Sequence, residues 1–79
     1  MKDIDSRLIG VFRAVFIELE TQSDELIKTT SKANLYSWDS GGHLMLITCL
    51  EEEFEISISN ELVITIDTFQ MAKFAVMPD

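Results

Sequence analysis

The spacing of apolar residues predicts an amphipathic helix at the start of the chain, followed by a long polar stretch. Apolar side chains recur three or four positions apart over more than four turns, at Ile4, Leu8, Val11, Phe12, Val15, Phe16 and Leu19. Asp3, Asp5 and Ser6 suit the beginning of this helix, where backbone N–H groups lack partners and the dipole is positive. Residues 20–39 are mostly polar, which predicts a long loop attached to the core at a few points, Trp38 among them.

A second helix is predicted to begin at Ser40, within the run Asp39-Ser40-Gly41-Gly42 that interrupts the preceding pattern. Apolar residues then return at helical spacing, at Leu44, Ile47, Leu50 and Phe54. The Ser40 hydroxyl is expected to cap this helix, because it can accept a hydrogen bond from an N–H in the first turn. Gly41 and Gly42 lower helix stability beside it, by about 1 kcal/mol each relative to alanine.

The segment from residue 54 to residue 68 has two interpretations. Its apolar residues alternate with polar ones on both sides of Asn60-Glu61, which is the period of a β-hairpin. Against a hairpin, Asn-Glu lacks the glycine that a two-residue turn prefers, and an isolated hairpin is marginally stable. After this segment, Thr68 or Asp67 can cap a final helix. The predicted core comprises Leu8, Phe12, Val15, Phe16, Ile47, Leu50, Phe54, Ile58, Ile66, Phe69 and Ala72.

Length and charge narrow the possible functions. Seventy-nine residues allow a single domain, residues 1–79. The net charge is −8, which repels phosphate backbones, so we expect no nucleic-acid partner and a preference for basic proteins. No apolar run is long enough for a signal peptide or a membrane span, and we expect a cytoplasmic monomer.

The residues that could carry catalysis or bind a metal do not form a recognised set. Cys49 cannot form an internal disulfide, and with only His43 beside it there is no zinc motif. Ser40 and His43 could form a dyad, but Asp39 is poorly placed to orient His43. We therefore expect no catalytic residues and no metal site, a solvated His43, and a Cys49 that is a buried small hydrophobic residue.

Several features in one register carry a resemblance to a known family. Asp39-Ser40 lies at a loop-to-helix junction, the helix ends in the acidic run Glu51–Phe54, and Thr68-Phe69 opens the last helix. From Trp38 to about Val76 the chain thereby resembles the acyl carrier proteins and peptidyl carrier domains without insertion or deletion.

The resemblance implies an all-α fold, a small three-to-four-helix bundle of acyl-carrier-protein type with a long loop between helices 1 and 2. It favours a short third helix over the hairpin. It also implies that Ser40 receives 4'-phosphopantetheine from a phosphopantetheinyl transferase. The arm would carry an acyl or aminoacyl group as a thioester to separate loading and acyl-transferring enzymes, in fatty acid, polyketide, nonribosomal peptide or related biosynthesis. The protein itself would not be an enzyme.

Partner recognition is expected to involve Asp39, Gly41, Leu44 and Met45. Gly41 replaces the Leu that normally follows the serine, a residue that the family implies contacts transferases and partner enzymes. Met45 stands where many fatty-acid carriers place an acid, so docking patches on the partners are expected to be apolar as well as basic. The alternative is an acidic helical interaction module, a carrier relative that is not modified at Ser40 and binds a basic partner.

Overall fold

A computed structural model describes residues 3–77, and within that range the chain is helical and contains no β-strand. Its α-helices are α1 (Ile4–Val15), α2 (Asp24–Ile27), α3 (Ser40–Phe54), α4 (Asn60–Val63) and α5 (Phe69–Val76). Short 3-10 turns occupy Ile17–Leu19 and Lys32–Asn34. The predicted all-α class is confirmed, and the hairpin interpretation of residues 54–68 is wrong. None of the helices in this range has the length and apolar character needed to cross a membrane.

A side-chain cap explains why the alternating segment is not a hairpin. The Ser59 hydroxyl accepts a hydrogen bond from the Leu62 N–H at 3.3 Å, which starts the single turn of α4. This turn breaks the strand period, because Ile66 is buried whereas Ile64 is 82% exposed. A strand with period two would have placed both residues on the same face.

The first helix begins as predicted and ends earlier than predicted. Asp3 caps it, with its carboxylate accepting from the Ser6 N–H at 2.8 Å. The helix stops at Val15 because Phe16 is extended, with φ −111° and ψ 110°. The 3-10 turn that follows buries Leu19 and leaves Ile17 facing solvent, so Phe16 and Leu19 both reach the core.

Four aromatic rings lie at the centre of the core. The Phe12 ring centroid is 5.1 Å from that of Phe69 and 5.6 Å from those of Phe16 and Trp38. Trp38 stacks on Phe16 at 5.1 Å, which confirms its predicted role as an anchor of the long connection. Nine of the predicted core residues are buried, whereas Val15 and Phe54 are only half-buried. The buried apolar residues that the predicted core left out, Trp38 aside, are Ile9, Val11, Leu19, Ile27, Leu46 and Val76.

The connection between α1 and α3 is attached to the rest of the fold by backbone hydrogen bonds. The Lys32 N–H donates to the Asp67 carbonyl at 2.7 Å, and the Phe69 N–H donates to the Thr30 carbonyl at 3.0 Å. Ile27 from α2 is fully buried. These contacts bring residues 30–32 against the start of α5, so the predicted long loop is an ordered segment.

Helix α1 packs chiefly against α3 and also contacts α2 and α5. Asp5 in α1 pairs with Lys73 of α5 at 2.8 Å and lies 3.8 Å from Lys28, just after α2. Arg7 pairs with Glu53 at 2.8 Å and lies over the Phe54 ring. Such partly exposed pairs contribute little to stability.

Candidate functional site

Ser40 is the first residue of α3, where the sequence predicts the helix start, but it does not cap the helix. The cap is Asp39, whose carboxylate accepts from the Gly42 N–H at 2.8 Å. The expectation that the Ser40 hydroxyl fills this role is therefore wrong. Asp and Ser are both favourable N-cap residues, and Asp39, whose backbone is extended, occupies the N-cap position here. Ser40 is exposed, so its hydroxyl is accessible to a partner.

The residues before Ser40 are anchored to the turn that follows α1. The Glu18 carboxylate accepts a hydrogen bond from the Ser37 N–H at 2.8 Å and a second, short one from the Ser37 hydroxyl. These bonds, the hydroxyl first, hold the pKa of Glu18 below its ordinary value. Sequence reasoning missed this pair, because two polar residues 19 positions apart give no pattern. The approach to the serine is thereby tied to the 3-10 turn Ile17–Leu19.

The two glycines after the serine have different surroundings. A β-carbon on Gly41 would lie 3.6 Å from the nearest atom, an Asp39 carboxylate oxygen, which is an ordinary contact. A β-carbon on Gly42 would lie 2.1 Å from the Ser37 carbonyl oxygen. Gly41 is thus a surface position that tolerates a side chain, whereas Gly42 allows the chain to pass close to itself.

His43 bridges two parts of the fold, which corrects the expectation that it is solvated. The Trp38 indole N–H donates to Nδ1 of His43 at 2.9 Å, and Nε2 lies 2.8 Å from the Val63 carbonyl oxygen. Because an indole N–H can only donate, Nδ1 is the acceptor and the proton resides on Nε2. Both ring nitrogens are therefore engaged, and neither is available as a base for Ser40.

Exposed apolar side chains lie on α3 close to Ser40. Leu44 and Met45 are 65% and 55% exposed, and both belong to the predicted recognition set. Leu62 and Ile64, on α4 and just after it, are also exposed, and the His43 contact joins this part of the chain to the first turn of α3. Helix α3 contains no Lys or Arg. The surface next to the serine thus combines apolar side chains with a helix that carries negative charge at its far end.

The glutamates at the C-terminal end of α3 differ in their contacts. The Glu51 carboxylate accepts from the Ile58 N–H at 2.8 Å, which holds the segment after the helix against it. Glu52 and Glu55 are exposed. The helix terminates at Glu55, which adopts the left-handed conformation with φ 54° and ψ 50°. Glu51 therefore serves the fold, and the exposed glutamates supply the negative field.

Cys49 lies on the α1 side of α3, in a groove lined also by Gly10, Val11, Ala14 and Glu52. It is half-buried rather than fully buried, so the prediction for it is correct only in part. Burial, followed by the nearby Glu52 charge, raises the pKa of the Cys49 thiol. At neutral pH the thiol is therefore protonated and weakly nucleophilic.

Within residues 3–77, no group of three or more His, Cys, Asp or Glu side chains is arranged to hold a metal ion. The functional candidates that remain are the exposed serine and the apolar surface beside it. No family model, no curated protein and no solved structure matches this chain.

Proposed function

We propose that this chain is a carrier protein whose Ser40 oxygen is esterified by 4'-phosphopantetheine. The observation that carries the proposal is the division of roles at the start of α3, where Asp39 caps the helix and Ser40 is exposed. A serine that capped its own helix would hold its oxygen against the N–H groups of the first turn, where a transferase would reach it less easily. Here the hydroxyl can be esterified without loss of the cap.

The electrostatics of this position support a phosphodiester. The product carries one negative charge, and the N-terminus of a fifteen-residue helix favours an anion through its backbone N–H groups and its dipole. An ester at Ser40 would place that charge at the first helical residue. The same ester near the C-terminal end of a helix would be disfavoured.

The helix order also supports a carrier of acyl-carrier-protein type. A long first helix, an ordered connection, a long helix headed by Asp39-Ser40, a single-turn α4 and a final helix follow in the order that the resemblance implies. The short α4 accounts for the segment that the sequence alone leaves ambiguous. On this proposal the helices would serve as the support for a flexible arm.

A carrier of this kind performs no chemistry on its cargo. Its thiol, at the end of the arm, would hold an acyl or aminoacyl group as a thioester, and tethering would raise the local concentration of that group at each partner's active site. Leu44 and Met45 provide apolar contacts for those partners, and the negative charge of the chain attracts basic surfaces.

The acidic interaction module is the second candidate, and Gly41 is the observation that favours it. Gly41 lacks the apolar side chain expected after a modified serine, while Leu44 and Met45 remain exposed for a partner. Under this alternative the same surface binds a basic protein and Ser40 stays unmodified.

Modification of Ser40 distinguishes the two candidates. The apo protein is incubated with coenzyme A, Mg²⁺ and a broad-specificity phosphopantetheinyl transferase. In the expected reaction Ser40 Oγ displaces adenosine 3',5'-bisphosphate from coenzyme A and loses its proton. Intact-mass analysis should show the addition of one phosphopantetheine. Ser40→Ala should abolish the addition, and Ser57→Ala, at another exposed serine, should leave it unchanged.

Gly41→Leu tests whether the missing apolar contact limits the reaction. The space around Gly41 accommodates a side chain, so this variant should fold normally and be modified faster than the parent protein. If neither protein gains mass with any of several transferases, the carrier function is refuted and the interaction module remains.

A further inference from the structure

His43 joins three elements that are distant in sequence. It lies in the first turn of α3, three residues after Ser40, and its imidazole contacts Trp38 before the helix and Val63 in α4. Its ring is nearly parallel to the Trp38 indole, with an interplanar angle of 19°. The Trp38 ring itself packs edge-on against Phe12 and stacks on Phe16. The imidazole therefore links the serine junction and α4 to the aromatic core.

Helix α4 depends on contacts of this kind for its position. It has four residues, and a single turn is unstable without tertiary contacts. The conformational entropy lost in forming the first turn exceeds the free energy gained from its hydrogen bond. None of its four residues is fully buried. The Val63 carbonyl accepts a long hydrogen bond from the Ile66 N–H at 3.4 Å, and His43 Nε2–H adds a shorter one at 2.8 Å from a different part of the fold.

We propose that His43 is a positioning residue that couples α4 to the Ser40 junction, so that the serine hydroxyl and the exposed Leu62 and Ile64 are presented to a partner in one fixed arrangement. The coupling stands on the contacts of the imidazole. Its consequence for recognition rests on the proposed carrier function.

The coupling is measured first, without any transferase. In isotope-labelled protein the imidazole nitrogen shifts should show the tautomer protonated at Nε2. His43→Leu removes both hydrogen bonds, and native-state hydrogen exchange at Val63 and Ile64 should then accelerate by about tenfold or more. His43→Gln offers an amide oxygen to Trp38 and an amide N–H to Val63, so it should restore most of the protection.

Two further variants separate coupling from general stability. Trp38→Phe keeps an aromatic ring but removes the donor to Nδ1, and it should reproduce part of the His43→Leu effect on α4. Val76→Ala, in α5, serves as the stability control, since Val76 packs near the other end of α3 beside Phe54. Exchange at α4 is compared with exchange at α1, which contains none of the substitutions. If α4 exchange relative to α1 rises no more in His43→Leu than in Val76→Ala, the coupling is refuted.

Recognition is then measured as steady-state modification of Ser40. His43→Leu should raise the transferase KM for the carrier by about fivefold or more while kcat changes by less than about twofold, and His43→Gln should reverse the increase. If hydrogen exchange in α4 accelerates in His43→Leu but the transferase KM is unchanged, His43 does not help to present the Ser40 surface to a partner. If the parent protein is not modified at all, the carrier function fails, and the exchange data alone decide the coupling.

Discussion

The carbonyl oxygen of Ser37 lies 2.1 Å from the point where a β-carbon on Gly42 would stand. The chain therefore crosses its own first helical turn at a distance that excludes any other residue. Gly41, one position earlier, meets nothing closer than 3.6 Å. Position 42 thus requires glycine, whereas position 41 in the same turn accepts a side chain.

We predict that Gly42→Ala destabilises the protein by about 2 kcal/mol, because the added carbon must displace backbone that Glu18 holds in place. Gly41→Ala should instead be neutral or stabilise by up to about 1 kcal/mol, since alanine restricts the unfolded chain and meets no clash. Urea denaturation of the two variants checks this. Equal changes in the free energy of unfolding for the two variants would contradict the close approach of the Ser37 carbonyl to Gly42.

The Glu18–Ser37 contact should make stability depend on pH. The pKa of Glu18 is lower in the folded protein than in the unfolded chain, so the folded state binds protons less readily. The stabilisation is therefore present above the unfolded-state pKa and is lost as pH falls through the folded-state pKa. Glu18→Gln should cost roughly 1 kcal/mol at neutral pH and progressively less as pH falls through the folded-state pKa of Glu18.

The matched control for that series is Glu20→Gln, an exposed glutamate two residues along the chain. It removes the same charge without removing the contact to Ser37. Thermal or urea denaturation at several pH values should show a gap between parent and Glu18→Gln that closes on acidification. A gap of constant size, or the same gap for Glu20→Gln, would contradict the assignment.

Glu55 ends α3 in a conformation that glycine adopts at no steric cost. Its φ of 54° is left-handed, which is unfavourable for an ordinary L-residue by about 1–2 kcal/mol. Glu55→Gly should therefore stabilise the protein by about 0.5–1 kcal/mol, with part of the gain offset by the greater freedom of glycine when unfolded.

Glu52→Gly provides the comparison for Glu55→Gly, with the same change in composition and charge. Glu52 is exposed within α3, where glycine costs about 1 kcal/mol relative to a good helix former. The two substitutions should shift the denaturation midpoint in opposite directions. A loss of stability in both would show that Glu55 is not strained.

Phe16 and Phe54 are both aromatic residues on helical spacing, but only Phe16 is completely buried. Phe16→Ala should cost about 3–5 kcal/mol, which is enough to unfold a domain of this size. Phe54 is half-buried beneath the Arg7 guanidinium, which lies 4.5 Å from its ring centroid. Phe54→Ala should therefore cost about 1–2 kcal/mol, measurable by urea denaturation of a protein that still folds.

Local patterns predicted the elements whose apolar faces are regular. The beginning of α1 and the start of α3 at Ser40 follow from helical spacing and capping residues, and Thr68, one of the two caps predicted for α5, is the one that the structure shows. The end of α1 at Val15 could not be predicted, because neither glycine nor proline marks the extended Phe16. Tertiary packing of Phe16 and Leu19 determines it.

The alternating segment shows a competition between two local signals. Its period favours a strand, whereas Ser59 ahead of Asn60-Glu61 is a helix-capping pattern, and the cap prevails in the structure. The serine cap was the signal that could have identified α4 from sequence. A two-residue turn without glycine gave the strand no comparable support.

At the candidate site, the position of the serine was predictable and its surroundings were not. Asp39-Ser40 before an apolar helix indicates the junction, but either residue could have been the cap. His43 contacts Trp38 five residues away and Val63 twenty residues away. Such contacts depend on where α4 docks, which no local pattern determines.

The hydrogen bonds between residues 30–32 and residues 67–69 bear on the order in which the fold can form. They close a segment of more than thirty residues. The packing of the Phe12 ring against Phe69 likewise requires the start of α5 to be in place. Closing so long a segment costs entropy before its contacts form, which slows folding relative to a bundle of sequential neighbours. During synthesis from the N-terminus, the Ser40 junction would therefore reach its final rigidity only after the start of α5 has left the ribosome.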